Sequence, residues 1–179
     1  MSDLEWIERG VASGALIRMP SPPGGRRLFV KERVWLQLDG SAKEGALTVL
    51  DQARCVAKLE DFAAGVPFTA SMMPFAKSRE TDLALTDAPE ESSRGIWTIR
   101  LHHDRPFFRI FGAFAERDCF IVLGLKNRDD IDDFNREVWR AAREWDRIPG
   151  VTGRLLEGTL NGHASKCIEA PSGPRRPGA

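Results

Sequence analysis

The chain lacks the features that would mark a secreted, membrane-spanning or nucleic-acid-coating protein. Three cysteines in 179 residues, Cys55, Cys119 and Cys167, are too few and too scattered for a disulfide scaffold, and none forms a C-x-x-C pair of the zinc-ribbon kind. They read as thiols in a reducing compartment, two of them buried as small apolar groups. Neither charge sign dominates: 26 basic residues meet 26 acidic ones. That balance argues against general phosphate coating, which draws on excess Lys and Arg, and leaves room only for a local basic cleft. An apolar run of roughly 18 residues is also missing, so no transmembrane helix is expected. The opening MSDLEWIERG is charged from its third residue, where a signal peptide would need an apolar stretch. A cytoplasmic protein is the expectation.

What is present suits one domain with appendages. Hydrophobic residues make up 42% of the chain, and five Trp with ten Phe can fill a core. Leu4, Ile7 and Val11 stand at helical spacing within 3–13. The breaker-rich MPSPPGGRR follows, so residues 1–26 read as an N-terminal extension and linker. A strand is expected near 27–31, followed by a turn or short helix. Ser41 and Glu44 have the form of a capping box, and the stripe Leu47, Leu50, Ala53, Ala57 and Phe62 predicts a helix over 42–64 ended by Gly65. Residues 65–94, with Pro67, Pro74 and Pro89, read as a long connection that is mobile near Ala88–Ser93.

From Gly95 the pattern changes. IWTIRLHH, FFRIFGAF and CFIVLGL are separated by the turn-forming HDRP and AERD, which predicts an antiparallel meander. Ile131, Phe134, Val138, Ala141, Ala142 and Trp145 then mark an amphipathic helix, about 129–146, ended by Pro149-Gly150. The tail 149–179 is expected to be partly disordered. The result is an α+β two-layer domain over 27–148, with N-terminal helices, a meander of three to four strands and a C-terminal helix packed on the sheet.

Period-two alternation sorts the meander into faces. Trp97, Ile99 and Leu101 lie on one face of the first strand, which should meet the helices. Thr98, Arg100 and His102 lie on the other, joined by Arg109 with Phe107 and Phe111 in the second strand and by Lys126 and Arg128 at the rim. Arginine among phenylalanines suits a cationic concavity for single-stranded RNA or an acidic peptide, because burying it unpaired is costly. The residues alone also allow, and by composition favour, pairing of Arg100 and Arg109 with Asp104, Asp118 or helix carboxylates, which would merely solvate an exposed face. His103 reads as solvent-facing or capping a turn, and His163 lies in a tail without partners in sequence. Three histidines so scattered predict no metal site.

GIWTIR, then FRIFGAF, then FIVLGLK together resemble the core signature of the RelE/ParE/HigB toxin superfamily, above all its HigB-like, phage-derived branch. There a G-x-W/Y-E-L-R strand precedes a Y-R-hydrophobic strand and a last strand ending in Lys. The resemblance spans about 27–148, with its specific part at 95–126. It implies the toxin of a type II toxin–antitoxin pair, partnered by a small helix-turn-helix antitoxin and cleaving mRNA on the ribosome without metal or other cofactor. ParE-like relatives instead inhibit DNA gyrase, and a phage-derived copy can be inactive. By resemblance Arg109, Arg100, Lys126 and Arg128 take the family's basic positions, with His102 where another basic side chain often falls. Arg109 and Arg100 would clamp the phosphate, Lys126 or Arg128 would assist the leaving group, and His102 would move a proton. Thr98, Phe107, Phe111 and Phe134 would contact the substrate. The chain has no tyrosine, which many members use near the C-terminal helix, and Phe134 can stack on a base but cannot transfer a proton. Residues 95–148 hold ten basic and ten acidic side chains, so even this core is balanced.

Overall fold

The computed structural model describes residues 4–72, 81–86, 95–151, 153–154 and 159–169. Its strands are Leu16–Arg18 (β1), Arg27–Lys31 (β2), Phe68–Ser71 (β3), Leu83–Leu85 (β4), Ile96–Leu101 (β5), Phe108–Glu116 (β6), Cys119–Asn127 (β7) and Cys167–Glu169 (β8). Its helices are Glu5–Ala12 (α1), Glu32–Leu38 (α2), Val49–Ala63 (α3), Phe134–Asp146 (α4) and Leu160–His163 (α5), with a 3-10 turn at Arg128–Asp130.

All eight strands join one sheet in the order β1-β2-β7-β6-β5-β4-β3-β8. β5, β6 and β7 pair antiparallel as expected from their short connections, but they are only the middle of it. β2 lies parallel to β7, with Arg27 opposite Cys119 and Val30 opposite Val122, and β3 lies parallel to both β4 and β8. The expected small antiparallel meander of three to four strands is therefore overturned by an eight-stranded mixed sheet. The flanking strands are three to five residues long and sit among Pro, Gly and polar residues. Their partners are remote in sequence, so no local pattern announces them.

Helices cover both faces. Trp97, Ile99, Ile110, Phe114, Phe120 and Val122 pack beneath α2 and α3 with Val34, Leu59 and Phe62. On the opposite face Ile96, Phe111, Ala113, Ile121 and Leu123 pack beneath α1 and α4 with Trp6, Ile7, Val138 and Trp145. The C-terminal helix thus covers the face that carries Arg109 and Phe111, not the Trp97 face expected for it. The N-terminal segment is no separate extension: Leu16 opposes Lys31 in the sheet, and Trp6 meets Trp145 edge-on with ring centroids 5.5 Å apart.

Local signals explain where the helices begin. The expected start at Ser41 fails because Gly45 adopts φ +67, a left-handed conformation that no helix continues. α3 is instead capped by Thr48, whose hydroxyl accepts from the Asp51 N–H at 3.2 Å and donates to the Asp51 carboxylate at 2.7 Å. Gly65, at φ +76, closes the helix as expected. α4 starts at Phe134 rather than near 129, because Asp133 accepts the Arg136 N–H and Asn127 caps the 3-10 turn before it. Thr48→Ala is expected to lower stability by about 1 kcal/mol, read from the midpoint of chemical denaturation.

The connection expected over 65–94 contains β3 and β4; its expected mobile part, Ala88–Ser93, lies outside the described residues, as does the tail from 170. No helix among the described residues is long and apolar enough to cross a membrane. Cys55 and Cys119 are fully buried, and burial pushes their thiols up to about 12 and about 11, out of the reactive range.

Candidate functional site

Three cations stand in line across the sheet. Arg100 on β5 opposes Arg109 on β6, and Arg109 opposes Lys126 on β7. Directly opposed residues of an antiparallel pair project from the same face with Cβ atoms about 4.5–5.5 Å apart, and like charges so placed repel. All three cations are half-buried. Exposed Arg128 adds a fourth cation at the rim, its backbone N–H donating to the Phe107 carbonyl at 2.6 Å.

The arginines are satisfied differently. Arg100 donates to the Thr81 carbonyl at 3.0 Å and lies in the field of Asp82. Arg109 donates only to the carbonyl of its own neighbour Phe108, at 3.1 Å, and makes no ion pair among the described residues. Burial, reinforced by Arg100 and Arg128, pushes Arg109 down to about 10. The guanidinium stays charged at neutral pH, with Arg100 and Arg128 rather than a carboxylate as the charges that act on it. Asp118, one of the suggested acidic partners, is engaged elsewhere: it lies 3.6 Å from Arg26 and accepts the Ser165 N–H at 2.7 Å.

The aromatic walls are less available than expected. Phe111 is 1% exposed and packs against the tilted ring of Phe134 with centroids 5.6 Å apart, so both rings belong to the packing beneath α4. Thr98 is 1% exposed, with its hydroxyl near the Ala84 carbonyl at 3.5 Å. Neither Thr98 nor Phe111 presents a surface to a substrate. Phe107 remains half-buried beside the Arg105 guanidinium, 5.4 Å from its ring centroid. A cavity of about 600 Å³ opens on the other flank of Lys126, where β2 leaves β7 to become α2; Arg33, Lys43, Arg140 and the carboxylates of Glu44 and Glu137 also line it.

His102, the expected proton carrier, is half-buried. Burial first, then His103 and Arg100, lower its basicity, while Asp82 and the Arg100 backbone act in the opposite direction, and both ring nitrogens are shielded from solvent. The exposed His103 ring packs against it at 4.4 Å. Asp82, which alternation and spacing did not single out, comes into this group because β4 pairs with β5 and sets it beside Arg100, whose N–H donates to the Asp82 carbonyl. His163 is not a lone tail residue either: it is 1% exposed, its Nδ1 is 3.0 Å from the Thr159 carbonyl, and its ring lies 5.2 Å from that of Trp97.

No family model matches the chain, and no curated protein or solved structure matches it.

Proposed function

We propose that the protein is an RNA-directed toxin of the RelE/HigB kind, whose phosphate clamp is the row Arg100–Arg109–Lys126 with Arg128 at its rim. One observation carries this reading: three cations aligned across adjacent strands, with Arg109 at the centre and in no ion pair among the described residues. Such an array repels itself, and an anion laid across it offsets that repulsion. A phosphodiester fits, because its two free oxygens accept from a guanidinium fork and from an ammonium at once.

The associated reaction is attack of a ribose 2′-OH on the adjacent phosphorus. The P–O5′ bond breaks as the new P–O2′ bond forms, and the proton of the 2′-OH ends on the departing 5′ oxygen. Charge that builds on the phosphoryl oxygens is stabilised by fixed cations in a half-buried setting. Arg109 and Lys126 bind these oxygens; Arg128 is placed to follow the strand outward. A helix-turn-helix antitoxin would neutralise the clamp by covering the same row.

Induced expression of the chain is expected to arrest growth with fragmented mRNA, and Arg109→Gln to abolish both while the protein stays folded. With purified protein, loss of one charge-assisted contact of about 1.5–3 kcal/mol should weaken binding to a short RNA by roughly 10- to 150-fold. An Arg109→Gln protein as toxic as the parent overturns the reading. Intact mRNA with altered plasmid supercoiling would move the target to gyrase.

A further inference from the structure

We propose that Asp82, His102 and His103 form a binding site for a divalent transition ion of the zinc, cobalt or nickel class. One ligand atom from each of the three residues lies within 4.8 Å of the other two. Independently, Nδ1 and Nε2 of His102 are both out of solvent and have no hydrogen-bond partner among the described residues. The Arg100 backbone lies near this ring but does not meet hydrogen-bond geometry. Buried polar atoms are nearly always paired, so an imidazole orphaned at both nitrogens, beside a carboxylate and a second imidazole, points to a missing partner that accepts lone pairs.

The ligands are held by the sheet. Asp82 immediately precedes β4, opposite Arg100, and His102 follows β5 two residues further on, so strand pairing alone brings them together. The Asp82 carboxylate is oriented from behind, receiving the Thr69 hydroxyl at 2.9 Å, the Thr69 N–H at 3.3 Å and Lys58 Nζ at 2.8 Å. Such outer contacts orient metal ligands. Ligand atoms around a zinc ion at about 2.0–2.1 Å stand about 3.3 Å apart, and the exposed His103 side chain is free to swing the remaining distance. Two imidazoles and one carboxylate favour borderline ions over magnesium or calcium, which want oxygen cages, and three protein ligands leave a position for water. The surrounding charge works against affinity, since Lys58 competes for Asp82 and Arg100 lies close by. That competition yields a diagnostic variant.

Protein purified without a histidine tag and titrated with Co²⁺ is expected to develop visible absorption, and Zn²⁺ to displace it with measurable heat. His103→Ala, a change at an exposed position, should weaken Zn²⁺ binding by ~10-fold or more. Lys58→Met should tighten it, because the ammonium that occupies the carboxylate is gone. Absence of both the absorption and the heat, binding unaltered in His103→Ala, or equal binding of Mg²⁺ would each overturn the site. The site does not depend on the RNA reading: Arg109→Gln should leave Co²⁺ binding intact even if it abolishes toxicity.

Discussion

A chain that starts at Arg26 is expected not to fold. Trp6, Ile7 and Leu16 are 2%, 1% and 0% exposed, and they close the second core over Phe29, Ile121 and Trp145. Burial of one such side chain contributes about 1.5–3 kcal/mol, so the three together supply about 5–9 kcal/mol. A whole domain has only about 5–15 kcal/mol to lose. The truncated chain also bares the outer edge of β2 and the Trp145 ring, both prone to association. Far-ultraviolet circular dichroism and size-exclusion chromatography check the outcome. A truncated chain that stays monomeric, with the denaturation midpoint of the full chain, would show that α1 and β1 are dispensable. Trp6→Ala grades the same effect within an intact chain, at about 3–5 kcal/mol.

Arg26→Met is expected to cost about 3–5 kcal/mol, more than any surface charge change. Arg26 is 1% exposed. It donates to the Phe62 carbonyl at 2.9 Å, the Val66 carbonyl at 3.2 Å and the Ser165 carbonyl, with its guanidinium 4.8 Å from the Phe62 ring centroid. It thereby ties the start of β2 to the end of α3 and to the turn before β8. Methionine preserves the buried stem but removes this donor from the Val66 and Ser165 carbonyls and leaves the Phe62 carbonyl with the Gly65 N–H. Arg26→Lys should recover only part of the loss, since one ammonium cannot reproduce a planar fork aimed at separate acceptors. Urea denaturation of the three proteins measures this order, and equal midpoints for Met and wild type would dismiss the tie.

These two predictions rest on residues that the sequence pattern assigned to an N-terminal extension and linker, and the reason is physical. Alternation made β5–β6–β7 legible because Trp97, Ile99, Ile110 and Phe114 repeat at period two and short polar turns join the strands. The heptad-like run from Ile131 to Trp145 made α4 legible for the same kind of reason. β1, β3, β4 and β8 are three or four residues long, too short for any period, and their parallel or edge pairings are set by packing rather than by turns. Which face α4 would cover could not be read either, because Phe111 and Ala113 make the second face as apolar as the first. The cationic row was legible as alternation plus register, whereas the closure of Phe111 by Phe134 needed the helix in place. Arg26 offered no signal: an arginine between two glycines and a second arginine looks like solvent-facing chain. Asp82 gave none because its neighbours in space, His102 and Thr69, lie 20 and 13 residues away.

The parallel contact between β2 and β7 has a consequence for how the chain is made. Roughly 90 residues separate Arg27 from its partner Cys119, so at about 5–20 residues per second the ribosome spends several seconds on the intervening stretch. Throughout that time Leu28, Phe29 and Val30 have nothing to pair with on that side, and distant pairings of this sort make assembly slow. A nascent chain stalled before Cys119 therefore displays a bare apolar strand, the kind of segment to which chaperones bind, and its native architecture forms late in synthesis.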